Sequence, residues 1–323
     1  MALSPLPDQV RADMFLHLSV MERAGLPTDQ AFKLLNLPPV LTPRVNVLRR
    51  LLGKGADIPG AGFKAGLFSE LETHIIRAAC SAGSPEITYK RLATRYAHKA
   101  RQASLVRSRM TMPLLTLLIA LAVQPLPALV AGTINTTGYV LSIVRPFLVL
   151  GGGVFLYRFL ARRLTTSTDR PDALQVRLSE LLTRLPLFGV MVVRMNVRDF
   201  YENLALMLEA GIPMLEALPM AVSTVGLCNI RADFARILPQ LENGATLSQA
   251  LAGLRFQGPN SVHSFVVTGE GSGALPEMLL RFADGESDAV TQYQIQLADW
   301  LPRLFYAGMA VWMAYQILNS HII

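Results

Sequence analysis

The pattern of apolar positions in the second half of the chain is helical. Apolar residues recur there every three or four positions, at Phe200, Leu204, Met207 and Leu208. Gly211 follows where the end of a helix favours a residue that tolerates positive φ. Pro213 stands where a first helical turn accepts proline, and Leu215 and Leu218 begin a second apolar stripe. The segment therefore predicts two helices joined by a tight corner at Gly211 and Pro213.

The same half of the chain carries further helix signals and no strand signals. Thr246 and Gln249 have the spacing of a capping box, directly after Asn243 and Gly244, which predict the end of a preceding helix. Pro276 suits the first turn of a long helix that is predicted to continue into the apolar C-terminal stretch. No run of alternating β-branched residues between hairpin turns occurs in the sequence. We predict an all-α fold.

Long apolar stretches predict three membrane spans. Residues 110–144 contain no Lys, Arg, Asp, Glu or His over 35 positions, and about 20 apolar residues are enough to cross a bilayer as a helix. The first predicted span begins this run and has Pro113 near its start, the second covers 138–160, and the third covers 301–318. Arg145 falls inside the second span, where snorkelling towards the outer face and a contact within a helix bundle are both open interpretations.

Two segments of the chain are nearly alike. Ala-Gly-Leu-Pro, which contains Gly25 and Pro27, returns about 186 residues later as Ala-Gly-Ile-Pro, which contains Gly211 and Pro213. Further along, Gly55-Ala56 corresponds to Gly244-Ala245, and Gly83 corresponds to Gly273. Matched features at a nearly constant separation are the signature of an internal repeat, so the chain is predicted to be a duplication of one helical unit.

Charge predicts the orientation of these units. Residues 1–109 hold 16 Lys and Arg against 8 Asp and Glu, and residues 162–300 hold 11 against 15, so their net charges are +8 and −4. Basic residues crowd the start of the first span and the end of the second, whereas the turn at 133–138 has none, which places both units in the cytoplasm. Nucleic-acid binding is disfavoured because no aromatic residues are interleaved with the basic ones.

We therefore predict an all-α membrane protein with two homologous cytoplasmic helical-bundle domains and three transmembrane helices. A composition of 51% hydrophobic and 16% charged residues fits that mixture. The predicted parts are a first cytoplasmic domain at 1–109, a transmembrane hairpin at 110–161, a second cytoplasmic domain at 162–300 and a C-terminal transmembrane helix at 301–323.

No catalytic, cofactor or metal motif is found in the sequence, and no enzyme is expected. Gly53-Lys54 lacks the upstream glycine of a Walker loop, and the five histidines show no metal-ligand spacing. The glycine-rich segment 269–273 fits neither a phosphate loop nor a serine-nucleophile elbow, so a turn is predicted. Within it, Glu270 has two open interpretations. It is either a structural carboxylate, at a helix terminus or paired with Arg281, or a group that binds a partner protein.

Two of these segments resemble a known family. The corner LALMLEAGIPMLEAL and the later VVTGEGSGALPEMLLRFA are similar to the signature segments of the inner-membrane platform proteins of type II secretion and type IV pilus assembly machines. The order of domains and spans is similar as well. The first repeat departs from the pattern because Cys80 stands where the second repeat has Glu270, so the acidic position is filled once.

The resemblance implies a scaffold in the bacterial inner membrane rather than a catalyst. Such a platform protein would couple a hexameric assembly ATPase in the cytoplasm to the extraction and polymerisation of pilin or pseudopilin subunits, as a homo-oligomer and with other assembly proteins, and without a cofactor. The residues expected to matter for structure or partner contact are Gly25, Pro27, Gly83, Pro113, Gly211, Pro213, Glu270 and Gly273.

Two alternative functions are compatible with the residues alone. One is a transporter or channel subunit built on internal repeats, and the other is a cytoplasmic binding module that is merely anchored to the membrane. Solute flux would favour the first alternative, and activity that survives deletion of the spans would favour the second.

Overall fold

The computed structural model describes residues 6–26, 28–34, 38–123, 173–184, 188–256, 258–259 and 261–320, together with single positions between 132 and 152. Every regular element within these residues is a helix, which confirms the predicted all-α class. Over the same residues, no helix combines the length and the apolarity that a membrane crossing requires. Apart from single positions, the second predicted span lies outside the described residues, and so do Arg145 and Pro27.

The first repeat forms six α-helices. They are α1 (Asp8–Arg23), α2 (Thr28–Leu34), α3 (Thr42–Leu52), α4 (Ile58–Lys64), α5 (Glu70–Ser81) and α6 (Pro85–Val123), with a 3₁₀ turn at Pro39–Leu41. Local sequence explains where α5 begins, because Ser69 and Glu72 form a reciprocal capping box there. The core is aromatic, and the Phe15 ring stacks on the rings of Phe68 and Tyr96 at centroid distances of 5.7 and 5.9 Å.

The second repeat and the segment before it also consist of helices. They are α7 (Ala173–Arg184), α8 (Phe188–Glu209), α9 (Met214–Ser223), α10 (Cys228–Phe234), α11 (Ile237–Glu242), α12 (Leu247–Ala252), α13 (Ser261–Ser272) and α14 (Leu275–Ser320). The predicted capping box of Thr246 and Gln249 is confirmed at the start of α12. The predicted long helix is also confirmed, since α14 runs without a break for 46 residues.

The corner at Gly211 forms as predicted, with two differences in detail. Pro213 has φ −58° and ψ 147° and immediately precedes α9, so it is the N-cap residue and not part of the first turn. Leu215 is 50% exposed, whereas Leu218 is fully buried. The prediction that Leu215 begins the buried stripe was therefore wrong, because the buried face of α9 begins at Ala217.

The second repeat has an aromatic core of its own. The rings of Phe200 and Phe234 stack with centroids 4.3 Å apart, and Tyr201 meets Phe282 edge to face at 5.4 Å. Phe200 and Tyr201 come from α8, and Phe282 comes from α14, so this core joins the helix before the Gly211 corner to the long C-terminal helix.

The chain divides into two compact units. One unit comprises Met1–Ala103, Val192–Val225 and Asn229–Glu286, and the other comprises Ser104–Met191, Gly226–Cys228 and Ser287–Ile323. The first unit contains the glycine corners of both repeats, so any contact between those corner regions lies within a single unit. The predicted domain boundaries at 109, 161 and 300 stay predictions.

Candidate functional site at the junction of the repeats

Both predicted corners are helix ends closed by glycine in the left-handed conformation. Gly25 has φ 68° and Gly211 has φ 86°. The Gly211 N–H donates to Leu208 O and the Ile212 N–H donates to Met207 O, each at 3.0 Å, which is the Schellman arrangement. A Cβ placed on either glycine meets nothing within 4 Å. The requirement for glycine is therefore conformational and does not come from a close neighbour.

The other matched glycines repeat this geometry. Gly55 and Gly244 have φ 81° and 85°, and Gly83 and Gly273 have φ 72° and 70°. Each pair ends an equivalent helix, so these glycines fix the register between the two repeats. Pro113, in contrast, lies inside the continuous helix α6, and its side chain is outside what the structure describes.

The Glu270 carboxylate clamps the start of α12. Its Oε1 accepts the Leu247 N–H at 2.6 Å, and its Oε2 accepts the Ser248 N–H at 3.2 Å. The Gln249 N–H donates to the Thr246 hydroxyl at 3.2 Å, and the Thr246 N–H donates to the Gln249 side chain at 3.1 Å. The four N–H groups that a helix N terminus leaves free are all satisfied here, and the negative charge suits the positive end of the helix dipole.

The pairing of Glu270 with Arg281, one of the two structural interpretations that the sequence left open, is not the one that the described residues form. Arg281 donates instead to Glu277, one turn away on the same helix, at 2.8 Å, because residues four apart on a helix are neighbours. The interpretation of Glu270 as a carboxylate at a helix terminus agrees with the geometry, although the helix is α12 and not the one that carries Glu270. A role for Glu270 in binding a partner stays a prediction.

In the first repeat, both sides of the Glu270 clamp are replaced. Cys80 stands at the position of Glu270, and Pro59, which has no N–H, stands at the position of Ser248. Helix α4 is capped by Asp57 instead, whose carboxylate accepts a first-turn N–H at 3.2 Å. The loss of the carboxylate therefore coincides with the loss of a donor that it would have accepted.

Charged side chains join the two repeats where α6 meets α8. The junction, as we call it, consists of Arg91, Arg95 and Lys99 from α6 and of Glu202, Asn203 and Glu209 from α8. Arg95 Nε lies 2.8 Å from Glu202 Oε1, and Arg95 Nη2 donates to Asn203 Oδ1 at 2.6 Å. Lys99 Nζ lies 3.2 Å from Glu202 Oε2, and Arg91 Nη2 lies 2.8 Å from Glu209 Oε1.

The centre of the junction is buried and its edge is not. The Arg95 and Glu202 side chains are 8% and 13% exposed, whereas Arg91 in the outer pair is 53% exposed. Burial by itself raises the pKa of Glu202, but the positive charges of Arg95 and Lys99 outweigh burial and bring this pKa down to about 2. Burial lowers the pKa of Lys99, and the charge of Arg95 lowers it further. Glu202 is therefore held as a carboxylate between two cations.

Sequence reasoning missed the junction, although a signal was present. Arg91, Arg95 and Lys99 recur every four residues along one face of α6, and Glu202 and Glu209 lie two turns apart on α8. The position of Glu202 in the first repeat is Leu16, and the position of Arg95 in the second repeat is Gly285. A comparison of the two repeats would have shown that each of these charges occurs in only one repeat. Such a difference indicates a contact that only one of the two equivalent faces makes.

The junction is a structural contact between two helices. In the part of the chain that the structure describes, no three His, Cys, Asp or Glu side chains stand close enough to bind a metal ion. A small cleft beside the junction is lined by both repeats, among others by Leu92, Leu206 and Ala210. What the arrangement does physically is hold α6 of the first repeat against α8 of the second.

Comparison with known proteins gives matches along most of the chain. The family described as type II secretion system (T2SS), protein F matches residues 14–131 and 200–310. A type IV pilus assembly protein PilC from Thermus thermophilus is 27% identical over an alignment of 291 positions that covers 83% of this chain and 70% of that protein. A type II secretion system protein F from Pseudomonas aeruginosa is 28% identical over 191 residues, which are 58% of this chain and 45% of that protein. The PilC protein of the same Pseudomonas strain is 22% identical over an alignment of 333 positions that covers 94% of this chain and 86% of that protein.

Proposed function

Because this chain belongs to the type II secretion system protein F family, we propose that it is a polytopic platform protein of a type IV pilus or type II secretion machine in the bacterial inner membrane. The observation that carries the proposal is the match of one family to both halves of the chain, at 14–131 and 200–310. Relatives named for pilus assembly and relatives named for secretion are similar to it, so the proposal includes both kinds of machine.

The proposed membrane arrangement has three spans, a hairpin within 110–161 and a C-terminal helix within 301–323. It is supported by the 35 uncharged residues at 110–144 and by the basic residues that flank the hairpin. In a variant without Cys80 and Cys228, cysteines introduced at Thr136 and Asn319 should react with an impermeant thiol reagent in spheroplasts, whereas a cysteine at Ser167 should not. Labelling at Ser167 alone would overturn the orientation.

In the proposed mechanism, the two cytoplasmic repeats receive motion from a hexameric assembly ATPase and pass it to pilin or pseudopilin subunits in the membrane. The junction supports this role because the buried carboxylate of Glu202 pairs with both Arg95 and Lys99 and so holds the first repeat to the second. A displacement imposed on α6 would therefore be transmitted to α8. The role is that of a scaffold that couples a motor to its substrate and does not itself catalyse a reaction.

The net charges of +8 and −4 on the two predicted cytoplasmic segments imply that they present different surfaces to the ATPase. Complementary charge acts mainly on association rate and salt dependence. Co-purification of the full-length chain with its cognate assembly ATPase should therefore weaken as salt rises from about 0.05 to about 0.5 M, where the screening length falls to a few ångströms.

A matched pair of charge reversals sharpens the test. Lys64→Glu changes an exposed residue of the first repeat, and Arg255→Glu changes an exposed residue of the second. If the basic first repeat contacts the ATPase, Lys64→Glu should reduce co-purification and Arg255→Glu should leave it unchanged. A full-length chain that never co-purifies with the ATPase, even after crosslinking in membranes, contradicts the proposed function.

A further inference from the structure

The junction uses one face of each repeat and leaves the equivalent face of the other repeat unused. Helix α8 contributes Glu202 and Glu209 to the junction and Leu206 to the adjoining cleft, and α6 contributes Arg91 and Arg95 to the junction and Thr88 to the cleft. The Schellman glycines set the register between repeats, because Gly25 and Gly211 end α1 and α8, and Gly83 and Gly273 precede α6 and α14. The unused counterparts can therefore be assigned residue by residue.

The counterpart of the α8 contribution is the α1 face, which consists of Leu16, Val20 and Arg23. Leu16 is 54% exposed and Val20 is 55% exposed, whereas Leu206, the equivalent of Val20, is only 4% exposed. Two apolar side chains one turn apart thus lie open on α1, where the second repeat buries the same positions against α6.

The counterpart of the α6 contribution is the α14 face, which consists of Met278, Arg281 and Gly285. Arg281 is 65% exposed, and Gly285 is exposed in the middle of the helix. Among the described residues, a Cβ placed on Gly285 meets nothing within 4 Å, so none of these residues requires a glycine there.

The two unused faces have changed together. Where the junction pairs Glu202 with Arg95, the α1 face has Leu16 and the α14 face has Gly285. The anion and the cation are thus both absent from these faces. A contact equivalent to the junction would set an apolar side chain against an open backbone, which fit each other in size. The same contact would bring Arg23 near Arg281, but Arg281 is paired with Glu277 at 2.8 Å, so that edge of the α14 face carries both signs.

We propose that the α1 face of one chain binds the α14 face of a second copy of the same chain, in the manner in which α8 binds α6 within one chain. The chain itself supplies the complementary surface, which is why a second copy is the occupant. Such a contact is head to tail, so each added copy leaves one face of each kind free, and the assembly either closes into a ring or grows. The inference does not rest on the proposed function, because self-association is measured without the ATPase.

Crosslinking of the full-length chain in membranes tests the contact. Two differently tagged copies, both without Cys80 and Cys228, carry Arg23→Cys and Arg281→Cys respectively, and a short bismaleimide is added. A product that contains both tags is expected only when the two copies are co-expressed, and neither copy should crosslink with itself. The matched control is one chain with Arg91→Cys and Glu209→Cys, the equivalent pair of the junction, which should crosslink within the chain.

Reciprocal charge changes test the pairing of Leu16 with Gly285. Leu16→Glu in one copy should reduce the mixed product by on the order of tenfold, which corresponds to about 1.4 kcal/mol. Gly285→Arg in the other copy should restore most of the product, because the combination recreates Glu202 with Arg95. Phe63→Glu, at a residue of α4 that is 51% exposed and belongs to neither face, should change nothing.

The rescue experiment distinguishes a lost contact from a misfolded chain. A Leu16→Glu chain that had merely misfolded would not be rescued by a change in the other copy, so rescue supports the pairing and failure of rescue overturns it. A product formed by the Arg23→Cys copy alone would indicate a symmetric contact and would also overturn the proposal. The same conclusion follows if the control crosslinks and the mixed product is absent, or if the Arg23→Cys copy crosslinks only to the ATPase.

Discussion

Replacement of Glu202 by Gln removes the charge at the centre of the junction and leaves Arg95 and Lys99 without compensation. Removing one partner of a buried ion pair typically destabilises a protein by about 3 to 5 kcal/mol. The pKa gives an independent magnitude. The pKa of Glu202 is about 2 in the folded chain against a reference value of 4.5, and each unit corresponds to about 1.36 kcal/mol. The charge of Glu202 therefore contributes roughly 3 kcal/mol, in agreement with the first figure.

The sign of the pH dependence follows from the lowered pKa. A carboxylate whose folded pKa lies below its unfolded pKa binds its proton more readily in the unfolded chain. Its contribution is therefore complete above about pH 5 and is lost as pH falls from about 4.5 towards about 2. The glutamine of the variant has no proton to bind, so the difference in unfolding free energy between the native chain and Glu202→Gln should be large at neutral pH and should shrink over that acid range.

The assay is urea unfolding of the full-length chain in detergent, followed by far-ultraviolet circular dichroism at a series of pH values. Other carboxylates titrate in the same range, but their effect is common to both chains and cancels in the difference. Glu209→Gln is the matched control, because Glu209 pairs with the 53% exposed Arg91, and such surface pairs contribute only about 0 to 1 kcal/mol. A Glu202→Gln difference that stays constant from neutral to acid pH would refute the lowered pKa.

Two further predictions concern the corners and the clamp. Gly211→Ala should destabilise the chain by about 1 kcal/mol or more in the same assay, because φ is 86° there. Gly271→Ala, at a helical glycine where an added Cβ meets open space, should not destabilise the chain. Equal effects of the two substitutions would contradict the conformational argument. Glu270→Ala should cost about 1 to 3 kcal/mol because it leaves the Leu247 and Ser248 N–H groups without their acceptor, and Glu277→Ala, which removes only an exposed pair with Arg281, should cost less than about 0.5 kcal/mol.

The features that sequence predicted well are the ones whose causes are local. A glycine that ends a helix, a capping box such as that of Thr246 and Gln249, and a proline at a helix start each act within four residues. The helical corner at Gly211 and the continuous helix α14 followed from such signals. The exposed position of Leu215 did not, because its exposure depends on which face of α9 meets the rest of the second repeat.

The features that sequence did not predict depend on distant partners. Glu270 clamps residues more than 20 positions earlier, and Arg95 meets Glu202 from 107 positions away. A single sequence gives the sign and the helical face of each charge, but it does not say which of several oppositely charged faces will pack together. The nearby Arg281 was therefore kept open as a partner of Glu270, and the charged faces of α6 and α8 were not connected.

The internal duplication supplies part of the missing information, because each repeat is a control for the other. Where a contact is lost, both of its members have changed, as with Cys80 and Pro59 in place of Glu270 and Ser248. The clamp is thus a unit whose two sides depend on each other. The same holds for the pair of Glu202 and Arg95, because Leu16 and Gly285 stand at the equivalent positions of the other repeats. Two fused repeats contact each other through one face of each, so equivalent faces of the two repeats have different neighbours. The repeats therefore cannot remain equivalent in sequence. The charge of each face follows from what it contacts and not from the fold that the two repeats share.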